Sequence, residues 1–109
     1  MVRLKAGVGA ALAARVEAVL AELPGVERRL VDDRAGVYVA DRLFAIVSPR
    51  TLEVLLDPIV AAAAARTPDT RPSERGPGWV RFEPRAAHPF ALDRAEAWLR
   101  SAHRLASGR

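Results

Sequence analysis

The sequence predicts a single α+β domain, in which an antiparallel β-sheet of about four to five strands has N- and C-terminal helices packed on it. Apolar residues recur at helical spacing near both ends of the chain, whereas its middle consists of short apolar runs separated by turn residues. The chain has 109 residues, half of them hydrophobic, which is enough for one core. We therefore treat residues 1–109 as one domain, with residues 1–9 and 106–109 as flexible ends.

Two amphipathic helices are predicted, one near each end of the chain. The first covers residues 10–23, and proline and glycine in "LPGV" end it. The second covers residues 92–105, with Asp93 and Glu96 at the spacing of a capping box. Their apolar stripes consist of Leu12, Val16, Val19, Leu20 and Leu23 in the first helix, and of Leu92, Ala95, Trp98, Leu99, Ala102 and Leu105 in the second.

The middle of the chain predicts an antiparallel meander. Turn residues such as "DDRAG" at 32–36 separate runs rich in β-branched and aromatic residues. The runs are residues 26–31, "VYVA" from 37, "LFAIV" at 43–47, "TLEVLLD" from 51 and "WVRFE" at 79–83. The continuous run at 43–47 predicts a strand buried on both faces, or a central strand under a helix. In the next run, alternation places Leu52, Val54 and Leu56 on one face, opposite Thr51, Glu53 and Leu55.

Two further segments interrupt the strands. Pro58 suits the first position of a helix, and the alanine-rich residues after it predict a short helix packed closely on the sheet. Residues 67–78 contain three prolines and two glycines, which predicts a loop and the most mobile segment of the chain. The order is therefore helix, three or four strands, short helix, strand and helix.

Composition restricts the classes of function. The absence of cysteine excludes disulfides, thiolate metal sites and cysteine nucleophiles. No apolar run is long enough to span a bilayer, so we expect a cytoplasmic protein that does not use a membrane. The net charge of +4 comes from arginines scattered among acids, which fits either a solvated mixed surface or a nucleic-acid site.

The best candidate binding surface surrounds "GPGWVRFEP". Alternation along this strand places Trp79 and Arg81 on one face, with Val80 and Phe82 on the other, inward face. An aromatic residue beside arginines can stack on a nucleic-acid base, and it can equally seal the edge of a core under arginine side chains. The predicted binding residues are Trp79, Arg81, Arg75, Arg85 and His88.

No catalytic constellation is visible. His88 is expected in an exposed loop and His103 at the border of an apolar helix stripe. Without cysteine, and without a carboxylate at ligand spacing, these two histidines do not make a metal motif. Asp32 and Asp33 fit ordinary turn chemistry. "GVGA" at 7–10 lacks the strand and the Lys-Ser/Thr of a phosphate loop. We predict no catalytic residues, no metal site and no cofactor.

Four segments carry a resemblance to a known family. "VLAELPGVERR", "VADRLFAIVSPRTLEVLLDP", "GPGWVRFEP" and "ALDRAEAWLRSAHRLA" together resemble the small bacterial proteins of the luciferase family, also called luciferase-domain proteins, over residues 14–106. Their order is also similar to the wider MmcQ/YjbR and TfoX N-terminal group. That resemblance implies an α+β fold with a sheet backed by helices, and this group is often labelled DNA-binding. The strand equivalent to "FAIVSP" commonly carries histidines in the family and carries none here, so no catalytic role is transferred.

The sequence thus favours a non-enzymatic binding or interaction module whose partner is another protein or a second copy of itself, as in a homodimer. Nucleic-acid binding through the surface arginines is the first alternative. A small-ligand pocket or an enzyme, with His88 or His103 as the base, is the second.

Overall fold

The computed structural model describes residues 7–108, which form three helices and six strands. The elements in chain order are α1 (Gly7–Glu22), β1 (Val26–Val31), β2 (Arg34–Val39), β3 (Arg42–Val47), β4 (Leu52–Leu55), α2 (Pro58–Ala64), β5 (Thr70–Pro72), β6 (Trp79–Phe82) and α3 (Pro89–Ser107). The strands form one antiparallel sheet in the order β1-β2-β3-β4-β6-β5. The predicted α+β class is confirmed, with six strands rather than four to five.

Tight turns join the first three strands. Asp32 and Asp33 connect β1 to β2, and Ala40 and Asp41 connect β2 to β3. All four have positive φ angles, between 51° and 65°, as a type I′ turn requires, and this turn matches the twist of the strands that it joins. The first turn is therefore shorter than the predicted segment 32–36, because residues 34–36 already belong to β2.

The core lies between one face of the sheet and the helices. α3 packs against β2, β3 and β4, α2 packs against β5 and β6, and α1 packs against α3. Leu52, Val54, Val80 and Phe82 all point into this core, as the alternation predicts. The strand at 43–47 is buried on both faces as expected, since Phe44 and Ala45 lie in the core and Ile46 is buried outside it.

The ends of the long helices differ from the prediction. α1 begins at Gly7 rather than at residue 10, and α3 covers Pro89–Ser107 rather than 92–105. The ring of His88 caps α3, because its Nδ1 accepts a hydrogen bond from the backbone N–H of Phe90 (3.2 Å). The predicted capping box is therefore wrong: Asp93 lies inside the helix, where no backbone N–H needs capping. Leu105, predicted in the buried stripe, is exposed.

The segment 67–78 contains a strand that the sequence does not reveal. β5 pairs with β6 and forms one edge of the sheet. Proline cannot donate a backbone hydrogen bond, but an edge strand tolerates it where that position faces away from its neighbour. The remaining turn places Gly76 and Gly78 at positive φ angles of 133° and 84°, and Ser73 N–H donates to the Trp79 carbonyl oxygen (2.9 Å). The segment is thus a β-hairpin rather than only a loop.

None of the helices within residues 7–108 is long and apolar enough to cross a membrane.

Candidate functional site

The helices leave one face of the sheet uncovered, and we call it the open face. Strand alternation and the pairing register determine which side chains it carries. They are Glu27, Arg29, Val31, Arg34, Gly36, Tyr38, Leu43, Ile46, Glu53, Leu55, Trp79, Arg81 and Arg71. The face is rich in arginine near β4, β5 and β6, and it carries aromatic rings on β2 and β6.

A buried carboxylate lies at the centre of the open face. Glu53 is only 4% exposed, and the register places Ile46 and Arg81 directly on either side of it. Its oxygens accept hydrogen bonds from Ser73 Oγ (2.6 Å), Arg34 Nη1 (3.0 Å) and Arg81 Nη1 (3.3 Å). A carboxylate removed from water needs such partners, since burial of an unpaired charge is very costly.

Two more arginines complete what we call the arginine cluster, which consists of Arg34, Arg71, Arg75 and Arg81 around Glu53. Arg75 Nε lies 3.7 Å from Glu53 Oε1. Arg71 lies directly opposite Arg81 in the pairing of β5 with β6, and its side chain makes no hydrogen bond or ion pair with the described residues. These side chains line a surface cavity of about 350 Å³, which Pro72, Ser73 and Glu74 complete.

The described carboxylates do not satisfy every donor of the arginine cluster. The Nε atoms of Arg75 and Arg81 are buried without a hydrogen-bond partner in the described part of the chain. Four guanidinium groups line the cavity, against the two carboxylates of Glu53 and Glu74. The lining therefore has an excess of positive charge and of hydrogen-bond donors.

Acidic residues at the rim of the cavity reduce this excess. Asp32 accepts a hydrogen bond from Arg75 (3.2 Å), and Glu83 lies 3.7 Å from Arg81. Both carboxylates are exposed, and exposed ion pairs of this kind contribute little free energy. An incoming anion can therefore replace them at small cost, whereas Glu53 stays in place beneath the cavity.

Aromatic rings on the open face lie beside arginines. Trp79 is half-buried next to Leu55, with the Arg75 guanidinium carbon 5.7 Å from its ring centroid. Tyr38 is also half-buried, and the guanidinium carbon of Arg29 lies 4.4 Å from its ring. The pairing register shows that Tyr38 and Trp79 share the open face.

Three of the five predicted binding residues lie together. Trp79, Arg75 and Arg81 meet at the open face, while Arg85 and His88 lie elsewhere. Arg85 is exposed and binds Asp69, with its Nε 2.9 Å from Oδ1. Two hydrogen bonds from Arg85 hold the pKa of Asp69 below its ordinary value. The bond from its backbone N–H has the larger effect, and the bond from its guanidinium has the smaller one. His88 is exposed and serves as the helix cap already described.

Sequence reasoning missed four contributors to the site, namely Arg34, Glu53, Arg71 and Ser73. Glu53 offered one signal, because a charged residue lies there in the middle of an otherwise apolar strand. Arg34 and Arg71 offered no such signal, since each is one of many arginines scattered along the chain.

The second histidine, His103, is a buried residue that packs against the core. His103 is buried, its ring meets Phe44 edge-on with centroids 5.6 Å apart, and Nε2 lies 2.8 Å from the carbonyl oxygen of Pro24. A carbonyl oxygen only accepts, so Nε2 carries the proton and donates it.

Two further surface cavities are lined by neither histidine. Within residues 7–108, no group of three or more histidine and acidic side chains is placed to hold a metal ion.

A scan of protein-family models found no match to this chain, and searches of curated proteins and of solved structures also found none. The resemblance to the luciferase family therefore stays a prediction.

Proposed function

We propose that this protein is a non-enzymatic binding module that holds an anionic group of its ligand in the arginine cluster. The observation that carries the proposal is the convergence of Arg34, Arg71, Arg75 and Arg81 on one cavity above a single buried acceptor. Such a concentration of donors needs more acceptor oxygens than Glu53 provides, and the Nε atom of Arg81 has no hydrogen-bond partner among the described residues.

The chemistry of the lining favours binding over catalysis. Guanidinium groups stay protonated near neutral pH, so they orient anions and do not exchange protons with a substrate. Their planar fork of donors matches the paired oxygens of a carboxylate or a phosphate. Phosphate, with more oxygens and more charge, can engage several of these arginines at once. We therefore expect a phosphate-bearing ligand to bind more tightly than a monocarboxylate.

Arg71→Ala is expected to weaken binding of pyrophosphate by about tenfold to a hundredfold, because a charge-assisted hydrogen bond contributes roughly 1.5–3 kcal/mol. Arg71 is the informative position because its side chain bonds to no described residue, so its loss should leave the fold unchanged. Isothermal titration calorimetry with pyrophosphate and with acetate measures the effect. Arg66→Ala, at an exposed residue outside the cavity lining, is the matched control. Equal affinity of the wild type and Arg71→Ala for pyrophosphate would contradict the proposal.

Single-stranded nucleic acid is the second candidate ligand, and one observation favours it. Tyr38 and Trp79 share the open face, separated by three strand spacings, or about 14 Å. Aromatic rings that alternate with arginines can stack bases while the guanidinium groups contact phosphates. The resemblance to the MmcQ/YjbR and TfoX N-terminal group supports the same candidate, since that group is often labelled DNA-binding.

Tyr38→Ala is expected to weaken the binding of a single-stranded oligonucleotide by about 1–3 kcal/mol, the usual contribution of one stacked base. Fluorescence anisotropy of a labelled oligonucleotide measures this change. Tyr38→Phe keeps the ring and should retain most of the affinity. Binding should also fall with salt, by about 0.7 log unit per log unit of salt for each phosphate contact. If the oligonucleotide does not bind at low salt while pyrophosphate does, the ligand is a small anion and the nucleic-acid candidate fails.

A further inference from the structure

One edge of the sheet is a six-residue strand with no partner on its outer side among the described residues. β1 pairs with β2 only, and Val31 and Arg34 close the hairpin between them. In a two-residue hairpin the closing pair exchanges backbone hydrogen bonds, and this pattern alternates along the strand. Glu27, Arg29 and Val31 therefore direct their backbone groups towards β2. The backbone N–H and C=O groups of the alternate residues, Val26, Arg28 and Leu30, point outward from the sheet.

This edge carries a large apolar side chain that nothing in the described structure covers. Leu30 is 81% exposed, although alternation places it on the helix side of the sheet with Val26, which is half-buried. Unpaired edge strands usually exclude such side chains because they invite pairing with another chain. The combination of outward backbone groups and an exposed leucine fits a strand that acquires a neighbour.

We infer that β1 pairs antiparallel with β1 of a second copy, in a register centred on Arg28. A two-fold axis perpendicular to the sheet would keep the open faces of both copies on the same side. In this register, Arg28 lies opposite Arg28 of the second copy, Glu27 lies opposite its Arg29, and Val26 lies opposite its Leu30. Each exposed leucine thereby gains an apolar neighbour on the same face.

Charge complementarity selects this register. Glu27 and Arg29, which bind each other within one copy (2.8 Å), also meet twice across the axis, where opposite charges directly across a strand pair are stabilising. The two central arginines do not repel strongly, because Glu17 binds Arg28 within each copy through two hydrogen bonds of 2.8 Å. A register centred on Arg29 would instead place the two Arg29 side chains directly opposite each other and would place Glu27 opposite Val31.

The dimer goes beyond the proposed anion binding and does not depend on it. It joins two six-stranded sheets into one, with both arginine clusters on the same continuous face. The contact is isologous, so it closes with two copies and leaves β5 as the outer edge on both sides. β5 is short and contains Pro72, and both features discourage further pairing.

The first experiment measures molecular mass by light scattering after gel filtration. The wild type should have twice the mass of one chain. Arg29→Glu places like charges opposite each other at both symmetric positions, so its dimer dissociation constant should rise about tenfold or more. The double variant Glu27→Arg/Arg29→Glu restores opposite charges and should recover the dimer. Arg66→Glu, the same charge reversal at an exposed residue far in sequence from β1, should remain dimeric.

The second experiment tests the register by cross-linking, since the chain contains no cysteine. Residues that face each other in a hydrogen-bonded pair have Cα atoms about 5.5 Å apart, within the range of a disulfide. Under mild oxidation Arg28→Cys should form a covalent dimer, and Arg29→Cys should form much less. A monomeric wild type would overturn the inference. A dimer whose dissociation constant is the same in Arg29→Glu as in the wild type, or that cross-links no better through Arg28→Cys than through Arg29→Cys, would equally overturn it.

Discussion

Phe82→Ala is expected to lower the free energy of unfolding by about 3–5 kcal/mol, the usual cost of removing a fully buried phenylalanine ring. Phe82 is 0% exposed and connects β6 to α3, where its ring meets Trp98 edge-on with centroids 5.3 Å apart. The guanidinium carbon of Arg94 lies over the same ring, 5.6 Å from the Phe82 ring centroid. Replacement by alanine would therefore leave a cavity and would remove the contacts of the ring with both Trp98 and Arg94.

Urea denaturation followed by circular dichroism measures this loss. The chain offers a matched control in Phe90, whose side chain is 69% exposed at the start of α3. Phe90→Ala should cost less than about 1 kcal/mol, because little apolar surface is removed from a buried site. Equal losses for the two variants would mean that Phe82 is not part of the central core.

Local patterns were sufficient to predict the core of this fold. Helical spacing identified the buried residues Leu12, Val16, Val19 and Leu20 of α1, and period-two alternation identified Val80 and Phe82. Both patterns act over a few residues, so the sequence displays them directly. β5 escaped prediction because proline and glycine usually mark loops, and only pairing with β6 makes the segment a strand.

The candidate site was less predictable, because strand pairing over long sequence distances assembles it. Trp79, Arg75 and Arg81 lie close together in sequence and were found together. Glu53 binds Arg34 across 19 residues and Arg81 across 28, which no local pattern indicates. Alternation correctly placed Glu53 opposite the core face, but an isolated strand gives no sign that the opposite face would bury a carboxylate among arginines.

The N-terminal cap of α3 is a second feature that the local sequence pattern did not predict. Asp93 and Glu96 have the spacing of a capping box, yet both bind Arg15 of α1, with Nη1 at 3.0 Å and 2.9 Å. The acidic pair that marks a helix start in sequence is used here to hold two helices together. His88 does the capping instead, and histidine is not among the residues usually expected at that position.

Glu53→Gln is expected to destabilise the protein and to strengthen its binding of anions. Glutamine keeps the size of the side chain and an oxygen that can accept the Ser73 hydroxyl, but it removes the negative charge beneath Arg34, Arg75 and Arg81. Breaking a buried ion pair by neutralising one partner costs about 3–5 kcal/mol. The three arginine side chains are roughly a quarter to a third exposed, so water compensates part of the loss, and we expect about 2–3 kcal/mol.

The gain in affinity follows from the same change. Glu53 competes with a bound anion for the guanidinium groups of the arginine cluster, and its neutralisation leaves them without that competitor. We expect pyrophosphate to bind Glu53→Gln about tenfold more tightly than the wild type, which corresponds to about 1.4 kcal/mol. Calorimetry measures the affinity, and urea denaturation with and without pyrophosphate measures the stability. Glu83→Gln, at the exposed rim near Arg81, is the control and should change both quantities only slightly.

Glu53→Gln should lower stability and raise the affinity for pyrophosphate, and this combination distinguishes a binding site from an ion cluster that only holds the fold together. A ligand that binds only the folded state stabilises it in proportion to its affinity, so pyrophosphate should restore more stability to Glu53→Gln than it adds to the wild type. A purely structural cluster would lose stability in the same variant, but pyrophosphate would return none of it. Loss of stability without recovery would therefore show that Glu53 and its arginines hold β4, β5 and β6 together, and that the cavity above them binds no anion.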